Sequence, residues 1–207
     1  MRARLAIQSS GIRVQLREIV LSEKAPELLT SSPKGTVPVL VSGNKVIEES
    51  LEIMSWALSQ SDPEAWLKIP DVGYDWISRN DGQFKAALDH IKYSPRFSNL
   101  NLNRARETAA KFLDDLDLLI ADSSWMFGEK CSLADMAILP FVRQFYNISN
   151  NWFDAQGWQN LRRWLTSFLG STRFNSIMAR YDKWVSGDPI VLFPSEPKLF
   201  SKQRLAV

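Results

Sequence analysis

Two short segments carry the residues best suited to hold a small ligand. Residues 34–40 (KGTVPVL) predict a tight turn followed by a strand, and Glu49 and Ser50 stand nine residues further on. A proline at a strand entry removes a ladder donor, so that edge faces something other than a strand. A cis Val37–Pro38 bond would turn the Val37 backbone N–H and C=O outward, where they could pair with a peptide-like ligand. An ordinary trans proline is the more common alternative.

Glu49 and Ser50 fall at a predicted helix start. Ser50 is of a favoured N-cap type, and a helix N-terminus offers free N–H groups and the positive dipole end to a carboxylate or phosphate. The carboxylate of Glu49 could instead hold an ammonium group. The pair therefore suits an α-amino acid moiety, although spacing alone favours a plain helix cap. Lys24 could supply a second anion contact, but a lone lysine is typical of a solvated surface.

The other candidate residues favour structural roles. Cys131 is the only cysteine, which excludes intrachain disulfides, and it fits a small buried residue better than a nucleophile. His90 is the only histidine and has no ligand set around it, so we expect no metal site. Ser132 and Asp135 form a capping-box variant, whose expected role is in folding.

Composition narrows the class of protein. The 207 residues allow one large domain or two small ones, and 45% apolar residues are typical of a globular protein. A net charge of +2 without a basic run gives no reason to expect nucleic acid binding. The first residues are too polar for a signal peptide, and no run has the ~18 apolar residues of a membrane helix. We therefore expect a soluble, cytoplasmic protein without membrane partners.

The element pattern changes near residue 61. Before it, helices and strands alternate, and Gly43–Asn44 is a hairpin turn signal. We predict helices over 1–10, from Pro26 and over 50–59, with strands over 14–21, 37–41 and 45–48. Helices that separate strands favour partly parallel pairing. Beyond a linker at 61–71 only helical periodicity is found, and prolines indicate an extended tail over 186–207.

Three motifs together resemble the cytosolic glutathione transferase superfamily. They are residues 32–40 (SPKGTVPVL), 46–53 (VIEESLEI) and 132–138 (SLADMAI). The resemblance implies an α/β thioredoxin-like N-terminal domain with its first strand missing, followed by an all-α C-terminal domain, usually as a homodimer. It places the glutathione-binding domain at 1–60, the linker at 61–71 and the helical domain with its tail at 72–207.

The resemblance also implies glutathione as co-substrate and assigns its contacts. Val37, before a cis Pro38, would pair its backbone with the cysteinyl part, and Glu49 and Ser50 would hold the γ-glutamyl amino and carboxylate groups. Lys24 is similar to the lysine that meets the tripeptide in cysteine-type, omega- or beta-like, relatives. An apolar or disulfide co-substrate would lie between the domains, near residues 76–93.

The chain departs from the family at its start. In the family, a strand and a turn that supplies the catalytic Tyr, Ser or Cys precede the first helix, whereas residues 1–7 already resemble that helix. Either the natural protein extends upstream of Met1, which we favour, or the chain is complete and has lost thiol chemistry. We therefore assign no catalytic residue and expect this chain to be inactive.

Two functions follow from that departure. The first is glutathione-dependent thiol transfer, deglutathionylation or conjugation by the full-length form. The alternative is a non-catalytic binding or regulatory protein of the same fold.

The missing strand would also affect the sheet. The predicted strand over 14–21 would have to pair with residues 37–41, borrow a strand from another chain, or stay partly disordered. An open hydrophobic edge is an aggregation hazard, so a stable protein in which this edge stays bare is the outcome we least expect. We expect the first 30 or so residues to be the least ordered part of the N-terminal unit.

Overall fold

A small unit of helices and two-stranded ladders precedes packed helices in the computed structural model, which describes residues 1–93 and 102–195. The elements of the first unit are α1 (Arg2–Ser10), β1 (Val14–Gln15), α2 (Pro26–Ser31), β2 (Leu40–Ser42), β3 (Lys45–Ile47) and α3 (Ser50–Gln60). Those that follow are α4 (Asp71–Arg79), a π-helical turn (Asn80–Phe84), α5 (Lys85–Tyr93), α6 (Leu102–Leu119), α7 (Leu133–Ile148), α8 (Asn150–Asp154), α9 (Gln159–Leu169), α10 (Thr172–Ile177) and β4 (Leu192–Phe193).

The predicted hairpin at Gly43–Asn44 is confirmed. Strands β2 and β3 pair in antiparallel register, with Leu40 opposite Ile47 and Ser42 opposite Lys45. Gly43 has a φ of 58°, a left-handed conformation that costs glycine little. The helices predicted from Pro26 and Ser50 also form, because proline suits the first helical turn and apolar residues of α3 recur on its buried face.

The strand predicted over 14–21 is wrong in its length and in its partner. Only Val14 and Gln15 form a strand, and they pair antiparallel with Leu192 and Phe193 of the C-terminal tail. None of the three expected outcomes included this partner. Local alternation indicates that a segment can be extended, but its ladder is only as long as the neighbour it finds.

The partly parallel sheet was also predicted wrongly within the described residues. They form two separate two-stranded ladders, β1 with β4 and β2 with β3, both antiparallel. The tail was predicted to be extended, and residues 192–193 within it form a strand. Residues 196–207 of the predicted tail lie outside the described residues. The expectation that the first 30 residues are the least ordered stays a prediction.

The helices predicted beyond residue 72 form, and their apolar faces make the core. Apolar residues that recur at helical spacing in α4–α6 are buried, and α7 is buried on all sides over its first half. Aromatic rings fill this core: Phe84 stacks on Phe112 at 4.6 Å between centroids, and Trp76 meets Phe112 edge-on at 5.5 Å. Among the described helices, none is both long and apolar enough to span a membrane.

Helix α1 connects the two units through a buried arginine. Arg2 is 5% exposed and its Nε donates to the Ala137 carbonyl of α7 at 2.6 Å. Its two terminal nitrogens donate to the carboxylate of Asp81, in the π-helical turn, at 2.5 and 2.9 Å. A bidentate pair fixes orientation as well as distance, so the first helix has a defined position on the helical unit.

The predicted linker is a packed turn. The carboxylate of Asp62 accepts the backbone N–H groups of Trp66 at 2.8 Å and Leu67 at 2.9 Å. Trp66 is fully buried, and its carbonyl accepts the N–H of Leu133 at 3.0 Å, at the start of α7. The segment therefore helps to hold the two units together.

Asp135 organises the start of α7. Its Oδ2 accepts the Ser132 backbone N–H at 2.9 Å and the Ser132 hydroxyl at 2.6 Å, so the predicted capping box is confirmed. Its Oδ1 accepts the Met126 backbone N–H at 2.9 Å and the Trp164 indole N–H at 3.0 Å. Burial raises the pKa of Asp135, while the hydrogen bonds from Ser132, Met126 and Trp164 act in the opposite direction.

Replacing this carboxylate should destabilise the protein strongly. In Asp135→Asn an amide nitrogen, which can only donate, would replace an oxygen that accepts two hydrogen bonds. At least two buried polar groups would then lack a partner, and each costs about 1–3 kcal/mol of stability. We expect the free energy of unfolding to fall by at least about 2 kcal/mol in denaturant titrations. Asp115→Asn is the matched control, because Asp115 is exposed and its ion pair with Arg79 is worth about 1 kcal/mol or less. Equal losses in the two variants would contradict this role for Asp135.

Candidate functional site

The β2–β3 hairpin brings two of the candidate segments to one end of its ladder. Leu40 pairs with Ile47, which is the last pair before the strands separate. Val37 lies three residues before Leu40, and Ser50 lies three residues after Ile47. The hairpin therefore leads the Val37 segment and the start of the next helix, thirteen positions apart in the sequence, to the same end of its ladder.

The Val37 backbone is free to bind an extended ligand. The Val37–Pro38 peptide bond is cis, as the resemblance implied, and the Val37 residue is 45% exposed. Within residues 1–93 and 102–195, no backbone hydrogen bond engages the Val37 N–H or C=O. An exposed backbone segment with unpaired groups can pair with a peptide as a strand would.

Helix α3 presents its N-terminus beside this segment. It begins at Ser50, and Glu49 is its N-cap residue, with no side-chain cap bond. The interpretation of Ser50 as the N-cap is therefore wrong by one residue, since the Glu49 carbonyl accepts the first helical N–H, from Ile53 at 3.0 Å. The Ser50 hydroxyl is not used as a cap, and the first N–H groups of α3 have no partner in the helix.

Lys24 lies against the turn that precedes Val37. Gly35 has a φ of 59°, and a Cβ placed on it would come within 3.0 Å of Lys24 Nζ and 2.9 Å of a Leu29 methyl group. The left-handed backbone favours glycine at this position, and the absence of a Cβ leaves room for the lysine. No ion pair to Lys24 forms among the described residues. Its ammonium is available to an anion.

A polar cluster that the sequence did not single out supports this turn. The buried Ser32 hydroxyl donates to Glu48 Oε1, and Lys34 Nζ lies 3.5 Å from Glu48 Oε2. The hydrogen bond from Ser32 holds the pKa of Glu48 below its usual value, with Lys34 acting in the same direction. Ser32 and Glu48 both belong to the quoted motifs, so the motif spacing was the signal that could have identified them.

The C-terminal tail also reaches the site, and sequence reasoning missed it. A cavity of about 380 Å³ lies between two segments, residues 23–27 and residues 183–186. Lys24 and Pro26 line one wall, and Trp184 and Val185 line the other. No spacing rule could have joined residues so far apart in the chain.

Cys131 and His90 take no part in this site. Cys131 is half-buried beside a separate cavity of about 260 Å³ that Glu64, Lys68 and Phe127 also line. Burial raises the pKa of the Cys131 thiol, which disfavours the thiolate. His90 is exposed on α5. In the described part of the chain, no group of three His, Cys, Asp or Glu residues could hold a metal ion.

The region expected to hold a co-substrate, around residues 76–93, is mostly core. Its large apolar side chains Trp76, Phe84 and Leu88 are buried in helix packing. Tyr74, just before this region, is 49% exposed. The expectation of a co-substrate site there stays a prediction.

Family models match both parts of the chain. The glutathione S-transferase N-terminal domain matches residues 1–65, and the glutathione S-transferase C-terminal domain matches residues 101–167. The chain belongs to the glutathione S-transferase superfamily. The transferase fold is accordingly a thioredoxin-like N-terminal domain followed by an all-helical C-terminal domain, as the resemblance implied.

Plant proteins are among the curated relatives of this transferase family member. A probable glutathione S-transferase, parA, from Nicotiana tabacum is 29% identical over 155 residues, which cover 71% of this chain and 68% of the relative. Glutathione S-transferase F10 from Arabidopsis thaliana is 23% identical over 202 residues, covering 87% and 92% of the two chains.

Solved structures share the fold at lower identity. Poplar glutathione transferase F1 superposes with a TM-score of 0.70 at 18% identity, covering 85% of this chain and 89% of the other. A glutathione transferase family member from Pseudomonas fluorescens, solved with two glutathione molecules bound, gives a TM-score of 0.74 at 16% identity, covering 85% and 86%.

The Ser32–Glu48 hydrogen bond can be tested by titration. Ser32→Ala removes the hydroxyl that contributes most to the lowered pKa of Glu48, so we expect that pKa to rise towards its ordinary value. Carboxyl-carbon NMR of the labelled protein would measure it. Ser42→Ala, in the same hairpin, is the control and should leave the Glu48 titration unchanged. An unmoved pKa in folded Ser32→Ala would rule out this hydrogen bond as the cause.

Proposed function

We propose that this chain binds glutathione at the open end of the β2–β3 hairpin, as a glutathione transferase. The observation that supports the proposal is the β2–β3 ladder, because the segment with the unpaired Val37 backbone and the start of α3 both adjoin its Leu40–Ile47 end. Glutathione is a peptide with an α-amino acid group at one end. It needs a strand-like backbone partner and, beside it, a place for one ammonium and one carboxylate.

Each part of the tripeptide has a matching group. The Val37 N–H and C=O would pair with the cysteinyl backbone, which fixes the direction of the peptide. The γ-glutamyl carboxylate would accept from the Ser50 hydroxyl and the free N–H groups of α3, and the Glu49 carboxylate would take the ammonium. Lys24, which lies over Gly35, would meet a second carboxylate of the ligand.

The reaction class follows from the family. Glutathione transferases bring the ligand thiol to a co-substrate, either for conjugation or, in cysteine-type members, for thiol transfer through a mixed disulfide. We propose one of these reactions for the full-length form and omega- or beta-like membership for the chain. We also propose the division at 1–60, 61–71 and 72–207, a homodimer and a cytoplasmic location.

A non-catalytic binding or regulatory role is the second candidate. The observation that favours it is the position of Cys131, the only thiol of the sequence. It lies beside another cavity, away from the residues grouped around Val37, and its pKa is raised. A site that holds glutathione but brings no protein thiol to it can bind the tripeptide without exchanging disulfides.

Ser50→Ala should weaken glutathione binding without loss of stability. Loss of a charge-assisted hydrogen bond of about 1.5–3 kcal/mol lowers the affinity roughly ten- to a hundredfold. Ser50 is not the N-cap, so no capping energy is lost with it. Isothermal titration calorimetry with reduced glutathione measures the effect.

The matched control for this substitution is Ser55→Ala. Ser55 lies on the same helix, is exposed and donates only to the Leu51 carbonyl of α3. Its replacement should leave the affinity unchanged. Equal affinities for Ser50→Ala and the parent would remove Ser50 from the site, and a parent that binds no glutathione would overturn the proposal.

The chain by itself should have negligible thiol-transferase activity. The raised pKa of Cys131 lowers the thiolate fraction, and the thiolate is the nucleophile in disulfide exchange. We expect turnover of hydroxyethyl disulfide with glutathione, coupled to glutathione reductase, to equal the uncatalysed rate in the parent and in Cys131→Ser alike. Turnover that Cys131→Ser abolishes would contradict this and make Cys131 the nucleophile.

A further inference from the structure

The last described part of the chain crosses the N-terminal unit. Residues 181–193, here called the C-terminal strap, follow α10 and run antiparallel to residues 14–18. The Trp184 N–H donates to the Glu18 carbonyl at 2.9 Å, and the Leu16 N–H donates to the Val191 carbonyl at 2.8 Å. The β1–β4 ladder completes this attachment.

Two aromatic residues anchor the strap, one near each end. Phe193 is 2% exposed, and the Arg4 guanidinium lies 5.9 Å from its ring centroid. Trp184 is 9% exposed, and the Arg17 guanidinium lies 4.3 Å from its ring centroid. Between the anchors the chain makes a tight turn at 185–188 and is otherwise exposed.

The Trp184 anchor lies on the side of the proposed glutathione site. Trp184 and Val185 line the cavity of about 380 Å³ whose opposite wall is residues 23–27. Lys183 also spans the two walls, through its ion pair with Glu23. Lys24 belongs both to this cavity and to the contact with Gly35, so the cavity adjoins the place where the tripeptide would lie.

The attachment of the strap is weak at this end. The Trp184 indole N–H is buried and has no hydrogen-bond partner, which costs free energy that an opened strap would recover. The Lys183–Glu23 pair is exposed and therefore contributes little. The other end is held by the two ladder pairs, the Leu16–Val191 hydrogen bond and the buried Phe193 ring. Because all these contacts belong to one short segment outside the helices, the strap can detach as a unit while the helices stay folded.

We propose that the C-terminal strap is a movable cover of the glutathione site, and that Trp184 is a positioning residue whose indole closes the cavity beside Lys24. The inference rests on the proposed function. With the strap attached, the ligand carboxylate at Lys24 lies behind Trp184. The strap must therefore open before the ligand can dissociate, so strap opening limits the dissociation rate.

A cross-link between the strap and β1 tests this directly. The Leu16–Val191 hydrogen bond makes Gln15 and Leu192 a non-hydrogen-bonded pair, with Cα atoms about 4.5 Å apart, a separation that a disulfide can span. Both side chains are exposed. Gln15→Cys with Leu192→Cys, in a Cys131→Ser background, would lock the strap when oxidised and free it when reduced.

The probe is S-methylglutathione, which has no thiol and leaves the disulfide intact. Stopped-flow tryptophan fluorescence would give the association and dissociation rates. We expect both rates to fall at least tenfold in the oxidised protein and to recover after reduction with a phosphine. Trp184→Ala should instead raise the dissociation rate at least fivefold. Trp184→Phe keeps an aromatic ring, so its dissociation rate should return most of the way to that of the parent.

Ile190→Ala is the matched control, because Ile190 is on the strap, is 68% exposed and does not line the cavity. It should bind and release the probe as the parent does. Equal rates in the oxidised and reduced forms would overturn the cover and leave glutathione binding intact. A parent protein that does not bind the probe would overturn the proposed function and this inference with it.

Discussion

One buried carboxylate fixes the relative positions of three segments of the helical unit. Asp135 accepts four hydrogen bonds from three places: the loop at Met126, the start of α7 at Ser132, and α9 through Trp164. Burying a charge is costly unless it is fully hydrogen-bonded, so this group specifies one arrangement of those segments. Because α7 lies at the centre of the core, the position of each helix packed on it depends on this arrangement.

Helix α1 connects the N-terminal unit to that arrangement. It packs on α3 on one side and on α7 and α10 on the other, and Arg2 fixes its start to both α7 and the π-helical turn. At its far end, the Ser9 hydroxyl donates to Glu64, which also pairs with Arg173 of α10. The site is therefore attached to the helical unit through α1 and α3. The three-pair β2–β3 ladder precedes α3 in the chain and joins it to the Val37 segment. Its buried Ile47 packs in the same core as α1 and α3.

The sequence predicted what is local and periodic. Helical faces, the Gly43–Asn44 turn and the capping box each follow from a few neighbouring residues, and the motif resemblance supplied the order of the two domains. Helix α3 was misjudged only in its cap, because Ser50 and Glu49 both suit a helix start and only the backbone angles distinguish them. The partner of β1 could not be predicted, because ladders between distant segments leave no spacing signal. The contact of Lys24 with Gly35 depends on the same kind of tertiary information.

Packing is unevenly distributed in this fold. The hydrophobic core runs through the helical unit and continues into α1, β3 and α3, whereas the candidate site adjoins a ladder of three residue pairs and exposed turns. Binding sites commonly lie in regions with few buried contacts, because a ligand can use the polar groups that the fold leaves unpaired there. The unpaired Val37 backbone, the first N–H groups of α3 and the ammonium of Lys24 are incomplete interactions of this kind. A peptide with two carboxylates and one ammonium would complete all three at once, and its binding would stabilise the folded state by mass action.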